Sequence, residues 1–421
     1  MRDTRIRFRA LIRSAVLVLT MGVALNVVAT QSAQGQTLTV LYSFAGLADG
    51  GDPLAGLVLD STGNLYGTTN QGGSGLFNCF DGCGTVFKVD TAGNETVLHS
   101  FGETGTDGAY PYYGSLFLDE AGNLYGTTSV GGAHGSGTIF RVSPAGQEIF
   151  ISLAGGANGG APYAGLVPDT AGNAYGTTQY GGTGCSPFGC GTVFKVSRAG
   201  KVTVLHSFIG SPDGEYPTAG LVRDSAGNLY GTTPYGGSVQ QGRLHIPTYW
   251  GTVFKVDPTG NETLLYSFCP AGYPCTDGQN PTGGLVRDSA GNLYGTTQFG
   301  GANGNGTIFK VDPTGNETVL YSFCSQSGCA DGYWPYSGLV RDSAGNLYGT
   351  TFYGGANGAG AVFELDTGGV ETVLYSFCSQ SNCADGANPY AGLVLDSEGN
   401  LYGTTEGGGT VGNGTVFRLA P

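Results

Sequence analysis

The stretch Gly63-Asn64-Leu65-Tyr66-Gly67-Thr68-Thr69 decides the fold, because it recurs along the 421-residue chain. The same seven residues start again at Gly122, Gly227, Gly291, Gly345 and Gly399, and a variant with Ala174 starts at Gly172. The copies are spaced 59, 50, 55, 64, 54 and 54 residues apart. A period of this size marks supersecondary units that bury their faces against one another.

Each copy sits among three further apolar runs. In the first they are Gly56–Asp60, then Leu65–Thr69 itself, then Thr85–Val89, then Thr96–Phe101. We designate these A, B, C and D. All are short, rich in β-branched and aromatic residues, and bounded by Gly, Asn, Asp and Pro, which is the pattern of strands. Four strands per unit, repeated radially, predict an all-β, seven-bladed β-propeller of four-stranded blades. The ends of the chain support this. The last copy stops after its C run, Thr415–Leu419, while Thr39–Phe44 is a D run with no blade of its own. The N-terminal strand is therefore expected to complete the last blade and close the ring, leaving no free blade face.

The A–B link reads Asp-x-x-Gly-Asn in every copy, as at Asp60, Gly63 and Asn64. Asp caps such a turn, and Gly or Asn takes a positive φ within it. The C–D link has one length throughout. Length varies only in the B–C and D–A loops. Links alternate between the two faces of an antiparallel blade, so one propeller face is uniform and the other variable.

The matching runs Gly-Leu-Val-x-Asp, Gly-Asn-Leu-Tyr-Gly-Thr-Thr, Gly-Thr-Val-Phe-Lys-Val and Glu-Thr-Val-Leu-Tyr-Ser-Phe cover residues 37–421. In these the chain resembles the Gloeo–Verruco tandem-repeat family of exported bacterial proteins. The resemblance implies a cell-surface or extracellular setting and no particular chemistry. Members with C-terminal surface anchors are expected in that family, and no anchor follows strand C before Pro421. The Asp-x-x-Gly-Asn-Leu-Tyr element is also similar to a turn and strand of NHL-type and streptogramin-lyase-like propellers.

Residues 1–35 read as a signal peptide and 36–421 as the single propeller domain. Arg2, Arg5, Arg7, Arg9 and Arg13 precede a mostly apolar run from Ala15 to Ala29, and Ala33 and Gly35 suit a cleavage site. The run is too short for an anchoring span of roughly 20 residues, so no membrane span is expected after cleavage. Without those residues, 12 Lys+Arg face 30 Asp+Glu, a net charge of −18. Such acidity argues against nucleic acid as a partner. Ten Cys fall into five close pairs: Cys79 with Cys83, Cys185 with Cys190, Cys269 with Cys275, Cys324 with Cys329 and Cys378 with Cys383. In an exported chain these read as loop disulfides. Their spacing does not give the paired Cys-x₂-Cys knuckles of zinc sites. Extracellular, cell-surface and periplasmic destinations all fit, and a monomer is expected.

Function is to be sought where copies differ. The strand-B tyrosines recur in every blade and read as inter-blade core. Aromatic residues of the variable face do not recur in this way. They are Tyr110, Tyr112, Tyr113, Tyr163, Tyr216, Tyr333, Trp334, Tyr336 and Tyr390 before the A strands, and His245, Tyr249 and Trp250 in the long blade 4 insertion. Aromatic rings around a depression suit stacking on sugar rings or peptide side chains, so a glycan or protein ligand is expected. Packing of the loops onto the blades is the plainer role. Arg223, Arg287 and Arg341 share one strand-A position in three consecutive blades. Lining the channel, they could hold an anion; the Asp after each offers ion pairing instead.

Catalysis has little support. No nucleophile elbow, metalloprotease helix, phosphate loop or calcium loop is present, so neither a cofactor nor a metal is expected. His99 and His206 stand where other D strands have Tyr. Asp107, Asp213, Glu215, Asp277, Asp331 and Asp385 lie in D–A loops, and two could pair as a glycosidase acid and base. The recurrence of Asp-Gly favours turns. Three readings stay open: a binding or adhesion module, a carbohydrate-active enzyme (glycosidase or lyase) with a carboxylate pair at the channel mouth, and a structural surface protein. The region around blade 3 is the most divergent, with Pro168, Ala174 and, in the preceding D strand, Ile149-Phe150-Ile151. The residues alone give no reason for it.

Overall fold

The computed structural model describes residues 36–421 except 47, 76–78 and 239–249. Residues 1–35, expected to be a signal peptide, lie outside the described residues. Seven four-stranded antiparallel sheets form the blades. In blade 1 the strands are Val58–Leu59 (A), Leu65–Thr69 (B), Thr85–Val89 (C) and Glu95–Ser100 (D). The ring closes as expected: Thr37–Ser43 pairs antiparallel with Thr415–Ala420 and supplies the fourth strand of blade 7.

Strand A is shorter than the sequence pattern predicts. Only Val58 and Leu59 pair with strand B, through Tyr66 and Leu65. The backbone before them turns toward the neighbouring blade instead. The first Thr of a B strand typically donates its hydroxyl hydrogen to a carbonyl of the next blade's D–A loop, as from Thr404 to Pro53 (2.9 Å) and Thr296 to Ser337 (2.7 Å). The second Thr typically pairs with the first residue of strand C, as Thr69 does with Thr85 (2.8 Å). Strand-B tyrosines behave as expected: Tyr66 donates to Asp60 (3.0 Å) and Tyr402 to Asp396 (3.1 Å), inside the Asp-x-x-Gly-Asn turn.

The core lies in the seams between blades. A strand-D Phe meets the strand-C Phe of the next blade edge to face, as Phe44 meets Phe87 (5.1 Å) and Phe268 meets Phe309 (5.0 Å). Such rings are fully buried, and each contributes a large share of the apolar burial at its seam. Above the rings lies a polar latch. A strand-D Tyr donates to the Asp of its own D–A loop: Tyr42 to Asp49 (2.9 Å), Tyr266 to Asp277 (2.8 Å), Tyr321 to Asp331 (2.8 Å) and Tyr375 to Asp385 (2.7 Å).

The divergence around blade 3 now has a reason. At the blade 2/3 seam Ile151 replaces the latch Tyr, Leu153 the Phe, Asn158 the Asp and Val202 the next blade's Glu. Ile151, Leu153 and Val202 pack in one apolar cluster. The latch is lost there as a set, because a lone buried carboxylate without partners would be costly. Blade 2's strand D also lacks the bulge that shifts register in the other D strands.

All five expected disulfides form. Cys79 is bonded to Cys83, Cys185 to Cys190, Cys269 to Cys275, Cys324 to Cys329 and Cys378 to Cys383. Each bridge ties a loop of the variable face to itself. Cys83 and Cys190 close B–C loops, whereas Cys275, Cys329 and Cys383 close D–A loops. No cysteine is free among the described residues. Bridges of this number mark an exported protein made in an oxidising compartment. No described helix is long and apolar enough to cross a membrane.

Candidate functional site

The D–A loops build a cavity at the axis on the variable face. Each loop has a residue with positive φ just before a Pro: Asp52, Tyr110, Ala161, Tyr216, Asn280, Trp334 and Asn388, with φ between 51° and 57°. L-residues adopt this region at a cost, borne most easily by Asn and Asp. Its recurrence in all seven blades marks it as architecture. The N–H of this residue donates to the carbonyl two residues before strand C, as Tyr216 does to Cys190 (2.8 Å) and Asn280 to Trp250 (2.8 Å). The residue after the Pro then reaches the mouth. It is Leu54, Tyr112, Tyr163, Thr218, Thr282, Tyr336 or Tyr390, and all seven line one cavity of about 590 Å³. The mouth is thus asymmetric, with adjacent Thr218 and Thr282 on one side and tyrosines around most of the rest. None of the ten disulfide cysteines lines it, so the bridges brace its loops from outside.

Blade 2 adds to this asymmetry. It carries one extra residue between Pro111 and strand A. Tyr113 consequently enters the axis, stacking on Tyr390 (4.6 Å, 12°) and Tyr163 (5.9 Å, 30°). Tyr336 stacks on the far side of Tyr390 (4.6 Å, 19°), completing a column of rings. The extra residue displaces the loop carbonyls, and Thr68 alone of the seven equivalent threonines has no hydrogen-bond partner among the described residues. Burial pushes the Tyr113 hydroxyl up to about 12, and burial followed by Tyr113 raises Tyr390 far above the usual phenol range. Both stay neutral at physiological pH.

The rest of the wall is polar but uncharged. Gln179, Asn280 and Gln298 contribute amides, and Tyr180 and Tyr235 two largely exposed rings. Gln298 donates to the Tyr336 hydroxyl (2.6 Å) and Asn280 to the Pro234 carbonyl (3.1 Å). Gln179 Oε1 and Thr218 Oγ1 are buried without a partner among the described residues. No described Asp, Glu, Lys, Arg or His lines the cavity. Glu406 is raised above the usual carboxylate range by burial and then by Asp52, and its charge adds to the burial that raises Tyr113, Tyr336 and Tyr390.

The model of the Gloeobacter/Verrucomicrobia repeat matches residues 27–182, 77–269 and 245–421. The chain belongs to that family. No functionally curated protein matches it. Among solved structures, the extracellular domain of a putative one-component system from B. thetaiotaomicron superposes with a TM-score of 0.53 at 14% identity. That match covers 91% of this chain and spans 41% of the other. A gluconolactonase from Xanthomonas campestris matches with a TM-score of 0.45 at 13% identity, over 92% of this chain and 90% of that one. At 14% identity the first of these likenesses is one of fold.

In this Gloeobacter/Verrucomicrobia repeat protein, Tyr112, Tyr113, Tyr163, Tyr336 and Tyr390 converge on the cavity as the sequence suggested. Tyr216 and Trp334, at the positive-φ site just before the Pro, do not line it, although Asn280 at the same site does. Tyr216 lies between Tyr180 (5.7 Å) and Tyr235 (6.2 Å), and Trp334 packs on Phe299 (5.4 Å) and Tyr353 (5.5 Å). Trp250 is half-buried against the core of the blade 4/5 seam. His245 and Tyr249 lie outside the described residues. Gln179, Tyr180, Tyr235 and Gln298 were missed by sequence reasoning. Their signal was present, since the two positions after each Thr-Thr pair differ from copy to copy.

The arginines sit at the uniform face, away from this cavity. The ion pairs expected with the following Asp do not form, because those carboxylates are engaged within their own turns, as Asp224 is by Asn228 (2.8 Å) and Tyr230 (3.0 Å). Arg223 and Arg287 instead lie over the strand-B rings of the preceding blades, Tyr175 and Tyr230, each at 5.7 Å, a cation–π arrangement. Burial raises the Tyr294 hydroxyl of the preceding blade, and the charge of Arg341 opposes that rise.

Proposed function

We propose that this exported propeller is a binding module that takes a neutral saccharide, as part of a polysaccharide or glycoconjugate, at the channel mouth. The observation that carries the reading is the wall: stacked tyrosines, uncharged amides and hydroxyls, and two buried polar atoms left without partners among the described residues. Sugar rings offer apolar faces for stacking and hydroxyls for such atoms. A cavity of about 590 Å³ is of the size that holds small ligands. Removal of residues 1–35 as a signal peptide and display at the cell surface or in the periplasm fit the same role.

A carbohydrate-active enzyme is the second reading, favoured by Asp52 and Glu406 beside the mouth, where burial and then the Asp52 charge raise Glu406 above the usual carboxylate range. Neither lines the cavity, so the binding role is preferred. The test is a screen of the disulfide-intact protein against neutral and anionic glycans, with product analysis of any hit. Retention of neutral glycans without turnover supports the module. Turnover abolished by Glu406→Gln would support the enzyme. A folded protein that retains no glycan would rule out the saccharide.

A further inference from the structure

The seam between blades 1 and 2 departs from the latch in a different way from the 2/3 seam. His99 replaces the latch Tyr, while Asp107 and the next blade's Glu148 are both kept. The shorter imidazole does not reach the carboxylates: His99 Nε2 lies 3.8 Å from Asp107 Oδ2 and 3.7 Å from Glu148 Oε2. Both separations are too long for hydrogen bonds. At the other histidine seam the contact closes, with His206 Nε2 3.1 Å from Asp213 Oδ2. Only the 1/2 seam therefore combines three ligand-type groups with no direct bond between the imidazole and either acid.

We propose that this seam binds one first-row divalent cation of the Zn²⁺ class through His99 Nε2, Asp107 Oδ2 and Glu148 Oε2. The three ligand atoms lie within 4.8 Å of one another. Zinc–ligand bonds of about 2.0–2.2 Å place tetrahedral ligands about 3.4 Å apart, a few tenths closer than the spacings here. The side chains of His99, Asp107 and Glu148 are only 12%, 4% and 10% exposed. His99 Nε2 and Glu148 Oε1 are buried with no hydrogen-bond partner among the described residues. Two carboxylates and a neutral imidazole balance a doubly charged ion, and an imidazole nitrogen selects such metals over Ca²⁺. The Gly108 N–H holds Asp107 Oδ1 (2.7 Å), and Phe101 stands edge-on to the imidazole (4.8 Å, 82°), so two of the three groups are oriented in advance.

The test titrates the chelator-stripped full chain with Zn²⁺ alone by calorimetry, with thermal melts in parallel. One Zn²⁺ per chain is expected, together with a higher melting temperature and no response to equimolar Ca²⁺. His99→Tyr installs the residue that Tyr266 supplies at its own seam, so the variant should fold, and it should lose Zn²⁺ affinity by about tenfold or more. Glu148→Gln should do the same with little change of shape. His206→Tyr should leave binding unchanged. Absence of Zn²⁺ binding, or binding that survives both His99→Tyr and Glu148→Gln, would overturn the assignment.

Discussion

The two faces of the propeller treat the same repeat oppositely. On the A–B face all seven copies carry one Asp-x-x-Gly-Asn-x-Tyr unit with one hydrogen-bond pattern, from Tyr66 with Asp60 to Tyr402 with Asp396. On the D–A face one backbone frame, with its positive-φ residue before Pro, carries Leu54, Thr218, Thr282 or a Tyr at the same position. Repetition therefore reports what holds blades together, and departure from it reports what the mouth presents. The comparison also warns against rarity as a guide. Trp250 and Trp334 are the only tryptophans, yet neither lines the cavity.

The comparison can be broken most severely at the repeated core. Phe309 is fully buried between blades, and Phe309→Ala should cost about 3–5 kcal/mol in denaturant unfolding. A loss below about 1 kcal/mol would mean that the seams are not the core.

A smaller effect should follow from pH. Glu95, Glu262, Glu317 and Glu371 are each raised to about 7, by burial first and then by the latch Asp beside them. Between about 4.5 and 7 the folded chain holds protons that the unfolded chain has released, so stability falls as pH rises through that window. The melting temperature at pH 5 should exceed that at pH 8, with a difference on the order of 1 kcal/mol or more after solvent screening. An equal or higher value at pH 8 would show that these carboxyls are not held protonated.

The smallest effect concerns a missing pair. Blade 6 has Ala361 where the other C strands begin with Thr, and Thr351 Oγ1 has no partner among the described residues. Ala361→Thr should restore the pair and stabilise by about 0.5–1.5 kcal/mol. A destabilised variant would show that the site cannot admit the hydroxyl and methyl.

Most of the fold was legible because seven copies average out local ambiguity. The blade count, the ring closure through Thr37–Ser43 and the disulfide pairs, from Cys79 with Cys83 to Cys378 with Cys383, all follow from counting and spacing. The shortness of strand A was not legible, since its run looks like any strand until the axis draws its backbone to the neighbouring blade. The site was legible in part. Tyr112, Tyr163, Tyr336 and Tyr390 share one register and could be picked as a set, whereas Gln179 and Tyr235 reach the mouth from B–C loops that only closure of the ring brings to the axis. Tyr113 was named as one aromatic among several. That it fills the axis follows from a single extra residue whose effect depends on Tyr390, at the other end of the chain.

The central claim is that the asymmetric mouth, and not the scattered aromatics around it, binds a neutral saccharide. Calorimetric titration of the best-retained neutral oligosaccharide into the wild type, a double variant with Tyr163→Ala and Tyr336→Ala, and a Trp250→Ala variant tests this most directly. The cavity variant should lose affinity by more than about tenfold, as stacking worth about 1–2 kcal/mol is removed, while Trp250→Ala binds like the wild type. Undiminished binding by the folded cavity variant, or its loss on changing Trp250 alone, would contradict the account.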